Sequence, residues 1–245
     1  MSATVITATI GRPDLLDCIL SVANQTVSVQ HLVIVDGYDH KEKVENVLAI
    51  AKSNLTEEKY SQIDVVYLPY PLKRWGGPIY SIGPTLAKKE YILNLDDDNT
   101  YGSNHVESLL DVIKISKASW AYSLRKITRN KEFVCNDNCE SLGFLHHDWK
   151  NKGHYHIDTS SYCIPVDIAK EVARYWSPNE NSIINDRVFY TELRKRYPRY
   201  ACTRLHTLNY EVPLNGKVNI NYFILGNKWM ESTHGTQAPW AIQSV

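Results

Sequence analysis

The sequence predicts an α/β fold with a mostly parallel central sheet flanked by helices, and three observations carry that prediction. Short β-branched runs alternate with amphipathic stretches through residues 1–115, the order that builds parallel strands through helical crossovers. Polar residues gather at the ends of those runs: Thr7 and Thr9 close the first, Asp36 the second and Asp96-Asp97-Asp98 the fourth. Residues 116–245 add further strand-like and helix-like stretches with no linker, low-complexity segment or repeat, so both halves are expected to share one compact domain.

Thr4–Ile10 reads as the first strand, and Gly11-Arg12-Pro13 turns the chain into a helix whose apolar face is Leu15, Leu16, Ile19, Leu20, Val22 and Ala23. Leu32–Val35 is the second strand and stops at Asp36-Gly37. A second helix carries Val44, Val47, Leu48 and Ala51, and Ile63–Leu68 is the third strand. The Gly/Pro-rich run RWGGPIYSIGP is expected to be too broken for one regular helix. Tyr91–Leu95, the fourth strand, leads straight into the aspartates, and a helix from about Asn104 buries Val106, Leu109, Leu110 and Ile113. Beyond it, Trp120–Ile127 reads as a strand, residues 128–154 as a long polar loop and Tyr155–Ile164 as a half-buried strand. Val166–Trp176 and Ile183–Tyr197 read as helices, while the tail from about Thr207 shows no period.

Composition narrows the function. The 245 residues hold 27 basic and 27 acidic side chains, so no bulk charge draws the chain to nucleic acid or to an anionic membrane. No apolar run approaches the roughly 20 residues of a membrane span. The N-terminus lacks the basic and long apolar regions of a signal peptide, so a soluble, cytoplasmic protein is expected. The five scattered cysteines fit a reducing compartment. The loose spacing of Cys135 and Cys139 with His146, His147, His154 and His156 does not match structural zinc.

In an open parallel sheet, ligands bind beyond the carboxyl ends of the strands. Aspartates there are ordinary loop formers and helix caps when single. Three in succession repel one another unless a cation or water separates them. Mg²⁺ and Mn²⁺ prefer oxygen ligands and bind through one or two carboxylates plus substrate phosphates, and such a cation neutralises charge on a leaving diphosphate. A nucleoside diphosphate linked to a transferable group fits these strand ends.

The successive segments VITATIGRPDLLDCILSVANQT, HLVIVDG and YILNLDDDN resemble the nucleotide-binding half of GT-A-fold glycosyltransferases, closest to family 2, over roughly residues 4–110. The resemblance implies a Rossmann-like GT-A domain in which residues 1–115 bind a nucleotide-sugar and residues 116–245 the acceptor. It implies nucleoside contacts at Thr7, Thr9 and Asp36, ribose and diphosphate contacts at Asp96 and Asp97, and Mn²⁺ or Mg²⁺ on Asp98 with Asp96. It sets Arg74 and the stretch up to Tyr80 near the nucleotide, and UDP or dTDP donors match the nucleoside-contacting aspartate.

The second half resembles the family more weakly. Asn185-Asp186-Arg187 stands where inverting members keep a catalytic base, the carboxylate that takes the proton of the attacking acceptor hydroxyl. Asp186 is the first candidate and Asp158 the second. ESTHGTQAPW resembles the His-Gly-Pro-Trp element of other GT-A families, which makes His234 a candidate third metal ligand and Trp240 a candidate sugar-stacking residue. Glu140 and Trp149 are expected in a loop over the sugar, and Lys73, Arg74, Arg125, Lys126 and Arg129 flank strand ends as candidate phosphate contacts. The acceptor is expected to be a glycan or glycoconjugate hydroxyl. Retention through the same donor site and non-catalytic sugar binding are the alternatives. The Asp-x-Asp-x-Thr pattern at Asp96–Thr100 also occurs in haloacid-dehalogenase-like phosphatases. There it sits on the first strand, with a paired-acid motif downstream; here it follows the fourth, and no such motif follows.

Overall fold

A computed structural model of the chain describes residues 1–145, 156–178, 185–213 and 218–235. In chain order the elements are β1 (Ala3–Thr9), α1 (Leu15–Ala23), β2 (Val29–Val35), α2 (Lys41–Asn54), α3 (Glu57–Tyr60), β3 (Ile63–Tyr67), α4 (Gly77–Leu86), β4 (Tyr91–Asn94), β5 (Thr100–Tyr101) and α5 (His105–Ser116). They continue as β6 (Trp120–Arg129), β7 (Glu132–Asn136), β8 (Tyr162–Pro165), α6 (Val166–Val172), α7 (Asn185–Arg196), β9 (Tyr200–Glu211) and α8 (Ile220–His234).

The strands form one sheet in the order β3-β2-β1-β4-β8-β6-β9-β5, with β7 paired to β6. The β3-β2-β1-β4 portion is parallel, as the alternating pattern predicts. Beyond β4 the sheet is mixed: β8 runs antiparallel to both β4 and β6, and β9 runs parallel to β6 but antiparallel to β5. Successive residues of β1 serve opposite faces. Val5 packs with Leu93, Val106 and Leu109, whereas Ile6 packs with Ile34, Ile92 and Tyr80. Burial on both faces is why these strands read as continuous apolar runs.

Four expectations are corrected. The Gly/Pro-rich run does form a helix, α4, after a 3-10 turn at Arg74–Gly76. Pro78 stands in its first turn, where a missing N–H costs nothing, and Gly83 brings it against Ile6 of β1. The expected polar loop after β6 begins with a hairpin: Asn130 and Lys131 both take positive φ, 52° and 66°, the two-residue geometry that returns the chain as β7. The strand expected over 155–164 is confined to β8, because Asp158 instead caps a 3-10 turn at Thr159–Ser161. The tail without a period contains β9 and α8. Register shifts between Tyr122 and Arg125, with Arg204 at φ 58°, break the alternation of β9. In α8 only Phe223, Gly226 and Met230 are buried, one narrow stripe on an otherwise mixed helix.

Candidate active site

Register brings the strand ends together. Ile6 of β1 pairs with Asn94 of β4, so three residues further on Asp97 lies beside Thr9, whose hydroxyl donates to Asp97 Oδ2 at 2.6 Å. The same hydroxyl accepts from Gly11 N at 2.9 Å and so shapes the turn after β1. That turn carries Arg12, whose Nη1 lies 2.8 Å from Asp98 Oδ2 and 3.3 Å from Asp97 Oδ1. Asp96 turns the other way: Tyr80 of α4 donates to its Oδ1 at 2.6 Å, and its backbone N–H donates to Ser160 Oγ at 3.1 Å.

The aspartates border a cleft of about 550 Å³ between the ends of β1, β2 and β4, the strap before α4 and Tyr210-Glu211 at the end of β9. Asp98 and Glu211 also line a second cavity of about 590 Å³ on the side of Lys126 and Phe133, so Asp98 forms a wall between two open spaces. Burial raises all three carboxyl pKa values. Asp96 is pushed up to about 8 by desolvation and by repulsion from Asp98 and Asp158. Asp98 is pushed up to about 6 by desolvation, with Arg12 opposing the shift. Asp97 is raised by desolvation against the pull of Thr9 and Arg12. Carboxylates this desolvated ionise more readily beside a positive charge, which Arg12 supplies to Asp97 and Asp98.

Asp36 lies in the cleft wall, and its two oxygens each accept a backbone N–H of the strap, from Leu72 at 2.5 Å and Lys73 at 2.9 Å. Arg74 lines the same cleft, its Nη1 3.4 Å from Ser177 Oγ. Thr7 does not reach the cleft; it is fully buried, with its hydroxyl 2.9 Å from His31 Nε2.

Asp186 lies in the first turn of α7, whose first residue Asn185 packs against Gly77 at the start of α4. Trp176 stacked on Phe189, centroids 3.8 Å apart, fixes that end of the helix. Asp186 keeps 30% of its side chain exposed, and its Oδ2 lies 3.2 Å from Nδ1 of the buried His156. Asp158 is enclosed by contrast: Oδ2 accepts from Arg125 Nη1 at 2.5 Å and Oδ1 from Ser160 N at 2.9 Å. Arg125, read from sequence as a phosphate contact, and Glu140, read as part of a sugar loop, are paired with each other. Burial opposes the charge of Arg125, but Asp137, Asp158 and Glu140 outweigh it and hold its pKa well above the ordinary value.

His234 ends α8 with its ring edge-to-face on Trp229, centroids 6.2 Å apart. Among the described residues no three His, Cys, Asp or Glu side chains gather in a metal-binding cluster, neither the three aspartates by themselves nor His234 with two of them. His146, His147, Trp149, His154 and Trp240 lie outside the described residues. Sequence reasoning missed Arg12, Ser160 and Glu211, and it placed Tyr80 near the nucleotide without its bond to Asp96. Arg12 alone had a local signal, its place in the turn that leaves the first strand.

Residues 4–134, more than half of the chain, match the glycosyl transferase family 2 profile. Among solved structures the chain is similar to S. aureus TarS 1–349, with TM-score 0.66 and 13% identity over 98% of this chain and 75% of that one. The same fragment in complex with UDP-GlcNAc gives 0.64 and 14% over 98% and 68%. In complex with UDP it gives 0.63 and 13% over 100% and 76%. No curated protein sequence matches the chain. The profile match and the parallel β3-β2-β1-β4 sheet with aspartates at its carboxyl edge lead to one assignment: the chain belongs to glycosyl transferase family 2 and has the GT-A fold.

Proposed function

We propose that the cleft binds a UDP-type nucleotide-sugar together with Mn²⁺ or Mg²⁺, and that the enzyme transfers the sugar with inversion to a hydroxyl of a glycan acceptor. The observation that carries this reading is the desolvated pair Asp96 and Asp98 on the cleft floor, beside Thr9 and Asp97. The S. aureus TarS fragment, solved with UDP-GlcNAc and with UDP, supports the choice of donor class.

The residues fit a hard divalent cation. Asp96 and Asp98 offer carboxylate oxygens raised in pKa by burial, with Asp98 adding to the rise at Asp96 and Asp97 to that at Asp98, and the guanidinium of Arg12 holds positive charge against Asp98. Bound there, the cation would offset the charge that develops on the leaving diphosphate. His234 is left out of the ligand set because of its place beside Trp229. Thr9 and Arg12 orient Asp97 and Asp98, and Tyr80 orients Asp96. Asp186 takes the proton from the acceptor hydroxyl; its side chain, 30% exposed against 8% for Asp158, supports that role, although its Oδ1 accepts from Arg187 N and its Oδ2 lies beside His156. Thr7 is assigned to the core rather than to the nucleoside. The five cysteines, none in a disulfide, support a cytoplasmic setting, and no described helix is long and apolar enough to cross a membrane.

The test is thermal stability with UDP, dTDP, GDP, ADP and CMP, each with and without Mn²⁺. A ligand at 100 times its Kd adds about 2.7 kcal/mol. A metal-dependent rise with UDP that disappears in Asp98→Ala supports the reading, and no rise with any nucleotide refutes it. With a turnover assay, Asp186→Asn should abolish transfer while leaving UDP affinity unchanged, and the anomeric configuration of the product decides inversion.

A further inference from the structure

The strap leading into α4 holds a backbone that its sequence does not favour. Lys73, Arg74 and Trp75 take φ of 59°, 58° and 56°, and Gly76 follows at 76°. In this region the Cβ of an L-residue crowds the following carbonyl oxygen. Lys73, at ψ −144°, is in a conformation found almost exclusively for glycine. Three such non-glycine residues in succession persist only when their surroundings hold them.

The anchors are on both sides of the strap. Asp36, at the end of β2, accepts from Leu72 N and Lys73 N at 2.5 and 2.9 Å. At the other end, Gly76 sits so close to β1 that a Cβ would stand 3.0 Å from that of Ala8. Between them Arg74 reaches Ser177. The clamped strap lifts Trp75 to 81% exposure at the cleft that this residue helps to line. A large apolar ring kept in solvent by a strained backbone is poorly explained by stability alone.

We propose that Trp75 is the stacking platform for the nucleobase of the donor. This rests on the donor-binding reading above. The aspartates at the end of β4 mark the diphosphate end of the cleft, so the base lies towards β2, among Asp36, His40, Pro71 and Lys73. The strap crosses from Asp36 to Ala8, and Trp75 overhangs that end. Asp36 fixes the strap through both of its oxygens, and the ring set above it grips the base by its face, a mode that tolerates different bases because each has a π-face.

The test titrates the full chain in Mn²⁺ with UDP and, separately, with inorganic pyrophosphate, following both calorimetry and tryptophan fluorescence. Trp75→Ala is expected to weaken UDP about tenfold, the loss of one stacked base, and to leave pyrophosphate affinity unchanged. Trp75→Phe should keep most of the UDP affinity but lose the fluorescence change that UDP causes in the wild type. Equal UDP affinity in wild type and Trp75→Ala overturns the proposal and leaves the donor site standing. An equal loss for UDP and pyrophosphate overturns it too, because the ring would then support the strap rather than the base. Failure of UDP to bind the wild type would refute the donor reading itself. Matching thermal melts of the ligand-free proteins exclude misfolding as the cause.

Discussion

Arg125 Nη1 donates to Asp158 Oδ2 at 2.5 Å in the interior of the second half, and the same guanidinium holds Asp137 through Nε and Glu140 through Nη2. One buried cation thus ties β6 to the segment after β7 and to the turn before β8. Its flat face also lies 4.3 Å from the ring centroid of Tyr210 at the cleft edge. This hub positions the cleft wall and keeps Asp158 enclosed, its side chain 8% exposed against 30% for Asp186.

Removing the cation strands three carboxylates, two of them fully or almost fully buried. Arg125→Met should cost about 3–5 kcal/mol of stability, the penalty for an uncompensated buried charge. Arg125→Lys should recover little, since an ammonium cannot present three separate donors in one plane. Urea unfolding measures both; a Met variant within about 1 kcal/mol of wild type would show that the carboxylates shed their charge without cost.

Thr7 and Thr9 differ in role although they share a strand face. Thr9→Val removes the donor to Asp97 and the acceptor of Gly11 N–H, and should weaken UDP binding besides costing about 1–3 kcal/mol of stability. Thr7→Val leaves the buried His31 Nε2 without its partner and should cost about 1–3 kcal/mol of stability while UDP affinity stays constant. Calorimetric UDP titration and urea unfolding on both variants separate the two effects. The reverse pattern would return Thr7 to the nucleotide.

What the sequence disclosed follows from where information is local. The parallel strands, buried on both faces, are apolar runs that stop at polar residues, so β1, β2, β4 and the aspartates were legible. Hairpin β6–β7 was hidden because its turn is Asn130-Lys131 rather than a glycine pair, and positive φ at lysine carries no sequence signal. Helix α4 was hidden because Pro84 and Gly83 discourage a helix that packing on Ile6 sustains. The commitment of Asp36, Asp158 and Arg125 to internal partners depends on contacts 33 or more residues apart in three of the six bonds. Residue type at a strand end tells what a side chain offers, and only the fold tells what has already taken it.

Gly77 tests the junction that carries Asp186. A Cβ there would meet the carbonyl oxygen of Trp176 and come within 2.7 Å of Asn185 Nδ2. Gly77→Ala favours helix intrinsically, yet it should destabilise by about 1–3 kcal/mol through overpacking. It should also lower transfer more than UDP affinity, because it displaces the start of α7. Thermal melts with a UDP titration check the first part and turnover the second. A more stable Gly77→Ala would show that α7 is not seated against α4 as described.

The raised pKa of Asp96 sets a pH dependence of opposite sign to that of a salt-bridged carboxylate. Below the ordinary value of 3.8 both the folded and the unfolded chain hold the proton. As pH rises above it the unfolded chain releases the proton, while the folded chain keeps it until about 8. The unfolded state then binds fewer protons, so this group lowers stability progressively over that window, by up to about 1.4 kcal/mol per pH unit. Asp98 acts in the same direction until about 6. Asparagine carries no such proton. In EDTA, Asp96→Asn should therefore gain stability relative to wild type as pH rises from about 4 to about 8. Mn²⁺ should reverse the trend, because it stabilises the ionised carboxylates of the wild type and the variant has lost one of them. Urea unfolding of both proteins at steps across this range measures the difference. A flat difference in EDTA would mean that Asp96 ionises at the ordinary carboxylate value and that the cleft floor is not desolvated.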